Sequence, residues 1–417
     1  MIANFFGRLK YGPVVFWSFA AKGSALVLFY AFQVYLARKA GTSVYGQWNL
    51  FYSVFSILAI IANCGINFSS QKHMAQHDGT DRLASVFGSA LVLRFCVSAA
   101  FMAAWFVLAG PLAAALGRRD LAPFIAAAAP AIFLAGHAEF FKEVFIGLRL
   151  IRNNFIINTL EYGLKLVFTI AALRIFAGLL PVVWAFALAL LVTVLAGLLL
   201  ARARIKEPWK FSAGFAGSVA VYALPLLVYE ISNTLLSETD TVILGMLKGN
   251  HEVGVYSMAK QLLVKAPHLA VAISMGIMPA FARLDHANRA ELKKLLHSLL
   301  KLNTVISGLL AGAVLIFADA IMSTLFGAAG AASANVLRVM CGYMVFSLFT
   351  VYSVSFLRYT GQAGLLAVNM LAAIAADVFL MLLLAPSLGA LGAAISVSVS
   401  YGVFASLNFI AVHRALR

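Results

Sequence analysis

Charge is scarce in this 417-residue sequence. Only 11% of residues are Asp, Glu, Lys or Arg, and just 15 of them are acidic. A water-facing surface cannot be built from so little charge, so neither a soluble enzyme nor a disordered chain fits. Cysteine is equally sparse. Cys64, Cys96 and Cys341 all fall within apolar stretches and form no CxxC or Cys/His grouping, which excludes a disulfide scaffold and a zinc module. No GxxxxGK[ST] loop occurs, so the chain has no ATPase of its own. What fills the sequence instead is apolar: 63% of residues are hydrophobic, against about 45–50% in soluble domains.

That excess is arranged in runs long enough to cross a bilayer, which takes about 20 residues. Twelve such runs are expected, at 13–38, 46–67, 83–108, 121–148, 155–177, 180–201, 217–247, 254–279, 292–317, 333–357, 361–385 and 388–412. Helices are required because unpaired backbone groups are too costly in hydrocarbon, and period-two alternation is missing. The fold class expected is therefore all-α integral membrane, with only short loops outside. The run from Pro13 is too long for a cleavable leader and reads as the first span.

The net charge of +16 is spread through those loops. With the N-terminus inside, eighteen Lys and Arg fall in cytoplasmic loops and tails, against six outside (Arg38, Lys39, Arg118, Arg119, Arg174, Lys248). The bias puts both termini in the cytoplasm and gives the basic excess a membrane explanation rather than a nucleic-acid one. The basic loop 202–216 divides the chain into two six-helix halves, 1–205 and 206–417. The basic, amphipathic stretch 285–301 is either a surface helix or the polar start of the ninth span.

A weak repeat supports the halves. Gly41-Thr-Ser-Val-Tyr-Gly46 is matched 208 residues later by Gly249-Asn-His-Glu-Val-Gly254. Six helices per half make the symmetry parallel, about the membrane normal.

The same segments carry a family resemblance. Tyr35-Leu-Ala-Arg-Lys-Ala-Gly-Thr-Ser-Val-Tyr-Gly-Gln-Trp48, a following apolar helix ending at Asn63-Cys-Gly65, and the block from Asp240 to Ala259 resemble the Wzx-type flippases of O-antigen and lipid-linked oligosaccharides. These belong to the multidrug/oligosaccharidyl-lipid/polysaccharide exporter (MOP) superfamily. The resemblance implies two six-helix lobes around a central cavity, alternating access, and a transmembrane proton or sodium gradient in place of a cofactor. It implies transport of an undecaprenyl-pyrophosphate-linked oligosaccharide across the inner membrane of a bacterium. Membrane lipids and the polysaccharide polymerase machinery are the expected partners of a monomer, with no nucleic acid. A drug or cation antiporter of the same superfamily is the alternative.

Ionisable groups at membrane depth are costly and mark candidate sites. Arg94 lies about 16 Å into its span, and Lys22 is also deep. The repeat aligns Lys22 with Glu230 and Arg94 with Lys301. Asp240 and Lys260 stand equally far from the turn at 248–253, so they form either a neutralising pair or a coupling-ion site beside a substrate cation. Glu238 and Lys265 extend that cluster. Glu161 and Lys165 are spaced i, i+4 and are expected to pair; Asp377 and Asp319 have no near partner in sequence. The candidate substrate-binding residues are thus Arg94, Lys22, Lys260, Lys265, Lys165 and Lys301. The candidate ion-coupling residues are Asp240, Glu230, Glu238, Asp377 and Glu161. Surplus cations suit a pyrophosphate, and aromatic side chains suit sugar faces. The expected loops are too short to hold an enzyme's acid/base set.

Overall fold

The computed structural model describes residues 12–265, 267, 289–359 and 362–415. Every regular element among them is helical. α1 (Gly12–Asn63) is followed by α2 (Ile66–His77), α3 (Leu83–Ala115), α4 (Ala122–Ala127), α5 (Ala129–Gly147), α6 (Ile151–Ile175) and α7 (Leu180–Arg204). Then come α8 (Ala213–Lys248), α9 (Asn250–Leu263), α10 (Arg289–Phe326), α11 (Ala334–Val339), α12 (Cys341–Tyr359), α13 (Ala363–Leu388) and α14 (Ala390–Ala415). Among the described residues seven helices are long and apolar enough to cross a membrane, and a bent pair, Arg119–Ala127 with Ala129–Gly147 at 51°, makes an eighth.

Eleven of the twelve expected spans fall on described helices. α1 supplies two of them, because Gly41 (φ 82°, ψ 167°) breaks it into limbs. The eighth span is described only through its first part, α9; the rest of 254–279, with His268, lies outside the described residues. α10 is one unbroken helix from Arg289. The described part of 285–301 is therefore the polar start of the ninth span and not a separate surface helix. The lipid-facing sides keep large apolar residues exposed, among them Phe106, Ile175, Leu199, Leu309 and Phe379, as a bilayer solvent demands.

The chain packs as two compact units. One comprises 1–36 and 55–231, the other 37–54 and 232–417. In the first, α5 packs against α2, α3 and α7, and α6 runs beside α7. Helix contacts are close where glycine permits. A Cβ on Gly147 would lie 2.4 Å from the Gln71 carbonyl oxygen, and one on Gly88 would lie 2.6 Å from that of Lys210.

In the second unit α14 packs on α12 and α13, and α10 on α12. Here the repeat becomes a contact. The second limb of α1 and helix α9 each start just after a glycine with φ 82° (Gly41, Gly249). They then cross reciprocally. A Cβ on Gly46 would lie 1.8 Å from the carbonyl oxygen of Asn250, and one on Gly254 would lie 2.2 Å from that of Thr42. Thr42 and Asn250 are themselves repeat equivalents, so each half presents the same glycine to the same carbonyl of the other.

Several helix ends among the described residues are capped by distant side chains. Glu252 Oε2 accepts from the Ala390 N–H at 2.8 Å, opening α14. Arg38 closes α10 by donating to the Leu325 carbonyl at 2.7 Å and to that of Thr324. Arg94 does the same for α1, as described next.

Candidate functional site

Each unit holds one buried group of charges, and the two are built differently. In the first unit the group stands on α5 and α6. Lys142 lies 2.6 Å from Glu139 and 2.7 Å from Glu161, and Glu161 lies 2.6 Å from Lys165. The expected i, i+4 pair therefore forms, but a second lysine, from α5, shares its carboxylate. Lys165 also lies over the rings of Phe186 (4.6 Å) and Tyr162 (5.1 Å), a cation–π setting suited to a desolvated ammonium. Glu143 stands within electrostatic reach of Glu139, Lys142 and Glu230. Glu230 thus faces an acid of α5, Glu143. Lys22, its repeat equivalent, is exposed and engages no acid among the described residues.

Arg94 is completely buried, and its geometry differs from a cavity-lining residue. Nε donates to Ser98 Oγ at 2.8 Å, Nη2 to the Ala62 carbonyl at 2.8 Å, and Nη1 to Asn63 O at 3.2 Å and Oδ1 at 3.3 Å. Those carbonyls end α1, where the helix dipole is negative, so they take the place of a missing carboxylate beside the guanidinium. Gly136 covers it so closely that a Cβ there would lie 2.9 Å from Cζ.

In the second unit the charges stand on α8, α9 and α13. Lys260 Nζ lies 2.8 Å from Asp240 Oδ1 and donates to Thr241 Oγ1 at 2.8 Å and the Ser237 carbonyl at 2.5 Å. Asp240, with no exposed surface, also accepts from the Thr241 N–H at 2.6 Å and from the Tyr256 hydroxyl. Glu238 lies 3.8 Å from Lys260 and accepts from Ser53 at 2.6 Å; Lys265 is within its electrostatic reach. Asp377 faces this group from α13, close enough to feel Asp240 and Lys260 and beside Ser400 of α14. Both its carboxylate oxygens are buried without a hydrogen-bond partner among the described residues. A cavity of about 10 Å³ lies here, lined by Asp240, Lys260, Ser237, Tyr343 and Tyr401 among others. That is the room of a single water or small cation.

The structure therefore joins Asp240, Lys260, Glu238, Lys265 and Asp377, which sequence spacing joined only in part. It joins Glu161 and Lys165 in the other unit. Lys301 is exposed on α10 and has no acidic partner among the described residues. Asp319, which has no near partner in sequence, pairs with Arg338 at the exposed end of α10. Sequence reasoning missed Tyr256, although it stands one helical turn before Lys260. It also missed Tyr343 and Tyr401, whose approach depends on tertiary packing. Among the described residues no group of acids, histidines or cysteines is arranged to hold a metal ion.

Long apolar helices mark a multi-pass membrane protein, and the fold is one seen in transporters. An inward-facing multidrug resistance MATE family transporter of the MOP superfamily superposes with a TM-score of 0.76 at 16% identity, covering 94% of each chain. The lipid II flippase MurJ, in an inward closed conformation, gives 0.74 at 13% identity over 96% of this chain and 87% of that one. A MOP superfamily transporter from Pyrococcus furiosus, whose binding pocket is described as reversed in polarity, gives 0.67 at 15% identity over 97% and 94%. This is the all-α, twelve-helix transporter fold. The family model described as polysaccharide biosynthesis protein matches residues 14–285, and the chain belongs to that family. No curated protein matches the sequence.

Proposed function

We propose that the protein is a flippase that carries an undecaprenyl-pyrophosphate-linked oligosaccharide from the cytoplasmic to the periplasmic leaflet. Family membership supports a glycan cargo. The surplus of basic over acidic residues supports an anionic head group. In this reading two six-helix lobes, 1–205 and 206–417, alternate in a bacterial inner membrane with both termini inside. The protein works as a monomer and has no cofactor.

One observation carries the coupling mechanism: the orphaned carboxylate of Asp377 beside the Asp240–Lys260 pair. Three carboxyls (Asp240, Glu238, Asp377) meet two ammonium groups (Lys260, Lys265) in low dielectric, and Asp377 has only the Ser400 hydroxyl beside it. A proton or a sodium ion would complete the balance. Loading and release of that ion would bias the helices that carry the cluster, α8, α9 and α13. Glu230, Glu161 and Glu238 then tune the field around the two clusters. Lys22, Lys265 and Lys301 are the further basic residues open to an anionic substrate in this reading. Arg94, Lys165 and Lys260, whose charges are already committed, hold the helices that present them.

The test is translocation in proteoliposomes of a pyrophosphate-linked glycan lipid, with and without proton or sodium gradients. Gradient-dependent outward movement is expected. Export of an organic cation with no glycan movement would favour the multidrug antiporter instead. That second reading draws on the likeness to a multidrug transporter fold.

A further inference from the structure

Helix α6 has two working faces. Glu161 and Lys165 join the buried charge group, whereas Phe155, Ile156, Thr159, Leu160, Gly163 and Leu164 line an open groove of about 380 Å³. The lining is apolar except for the Thr159 hydroxyl, which is already shared with Ser24 of α1 at 2.8 Å. Gly163 keeps the groove open: a Cβ there would meet only Leu28, at 3.8 Å.

One end of the groove is cationic. The Phe155 ring lies 5.1 Å from that of Trp17, and the Arg152 guanidinium lies over the same Trp17 ring at 5.8 Å. Arg149 and Arg152 are both exposed and pair with no acid among the described residues. From Arg152 to Leu164 the helix rises about 18 Å, more than half of a ~30 Å hydrocarbon core.

The chemistry of the groove selects its occupant. A peptide would leave backbone groups unpaired along these walls. A polar small molecule would find no convergent donors or acceptors. A long hydrocarbon ending in phosphate satisfies both ends, because arginine binds phosphate with paired, charge-assisted hydrogen bonds. We propose that the α1–α6 groove holds the polyprenyl chain of the lipid-linked substrate, with Arg149 and Arg152 at its phosphate end. The inference rests on the flippase reading and adds to it a place for the tail.

The test uses the full-length protein in detergent, with retention of undecaprenyl phosphate and of phosphatidylglycerol read by native mass spectrometry. The variants are R149A/R152A and Gly163→Leu, the latter filling the groove. Each should retain undecaprenyl phosphate about tenfold less than wild type, with phosphatidylglycerol retention and melting temperature unchanged. Retention within about twofold of wild type in the arginine pair would overturn the groove. Equal loss of phosphatidylglycerol would also overturn it, by making it a bulk-lipid site. If Gly163→Leu does not fold, the exposed arginine pair still decides. Translocation by the wild type separates the two failures. Transport of the glycan lipid with unaltered retention in the variants sinks the groove alone. Neither transport nor retention by the wild type sinks the flippase reading and the groove with it.

Discussion

The two buried charge groups solve the same problem in opposite ways. On α5 and α6, two lysines and two glutamates alternate as a closed ladder, Glu139–Lys142–Glu161–Lys165, with each charge against an opposite one. Around α8, α9 and α13 the Asp240–Lys260 pair is equally tight, but a further carboxylate, Asp377, is brought up to it and left without an ion pair of its own among the described residues. A closed network rigidifies; an open one in low dielectric is a high-energy arrangement that a small cation can relieve. The contrast separates a group suited to holding helices together from one suited to changing charge during a cycle.

The sharpest way to break the comparison is Asp240→Ala, which strands Lys260 in a site with 6% side-chain exposure. It should cost about 3–5 kcal/mol in detergent unfolding. Exchanging the two residues, Asp240→Lys with Lys260→Asp, should recover much of that stability if the pair is only structural. A fully folded exchange variant that still fails to transport would show separate roles. Glu161→Gln should cost less than Asp240→Ala, because the amide still accepts a hydrogen bond from Lys165 and Glu139 still holds Lys142; an equal or larger cost would erase the distinction drawn above. Gly46→Ala and Gly254→Ala should each cost about 1–3 kcal/mol, and by similar amounts, since they break equivalent contacts. Asp377→Asn is expected to change stability by less than about 1 kcal/mol while abolishing gradient-driven glycan movement in proteoliposomes. Normal gradient dependence in that variant would remove Asp377 from coupling. Smallest of all, Lys22→Ala and Lys301→Ala should leave stability within about 0.5 kcal/mol and weaken only transport at low substrate.

The helical layout was legible in the sequence because in lipid a run of apolar residues has one stable backbone solution. Boundaries were less so: α3 continues to Ala115, well past the expected end at 108, because Pro111 is accommodated within it. Of the site, pairs on one helix or across one turn could be read from spacing, as with Glu161–Lys165 and Asp240–Lys260. The role of Asp377 could not, since it reaches Asp240 and Lys260 from a helix remote in sequence. Arg94 shows why depth alone misleads. The residue is buried, but the carbonyls it meets belong to the end of α1 thirty residues earlier, and no side-chain pattern announces a helix terminus as an anion. The repeat at Gly41–Gly46 and Gly249–Gly254 was visible as letters; that the two copies touch was not.

That touching has a consequence for how the two halves of the chain can change over time. Each glycine is confined by a backbone oxygen of the other copy, so no side-chain substitution on the facing helix can make room for a larger residue. A deletion of one residue between Gly41 and Gly46 would rotate the glycine about 100° away from Asn250, and one between Gly249 and Gly254 would turn Gly254 away from Thr42 by the same angle. The two copies are thereby locked in register. Elsewhere the halves are free to diverge, as their two unlike charge groups have done, but at this crossing one half serves as the template for the other.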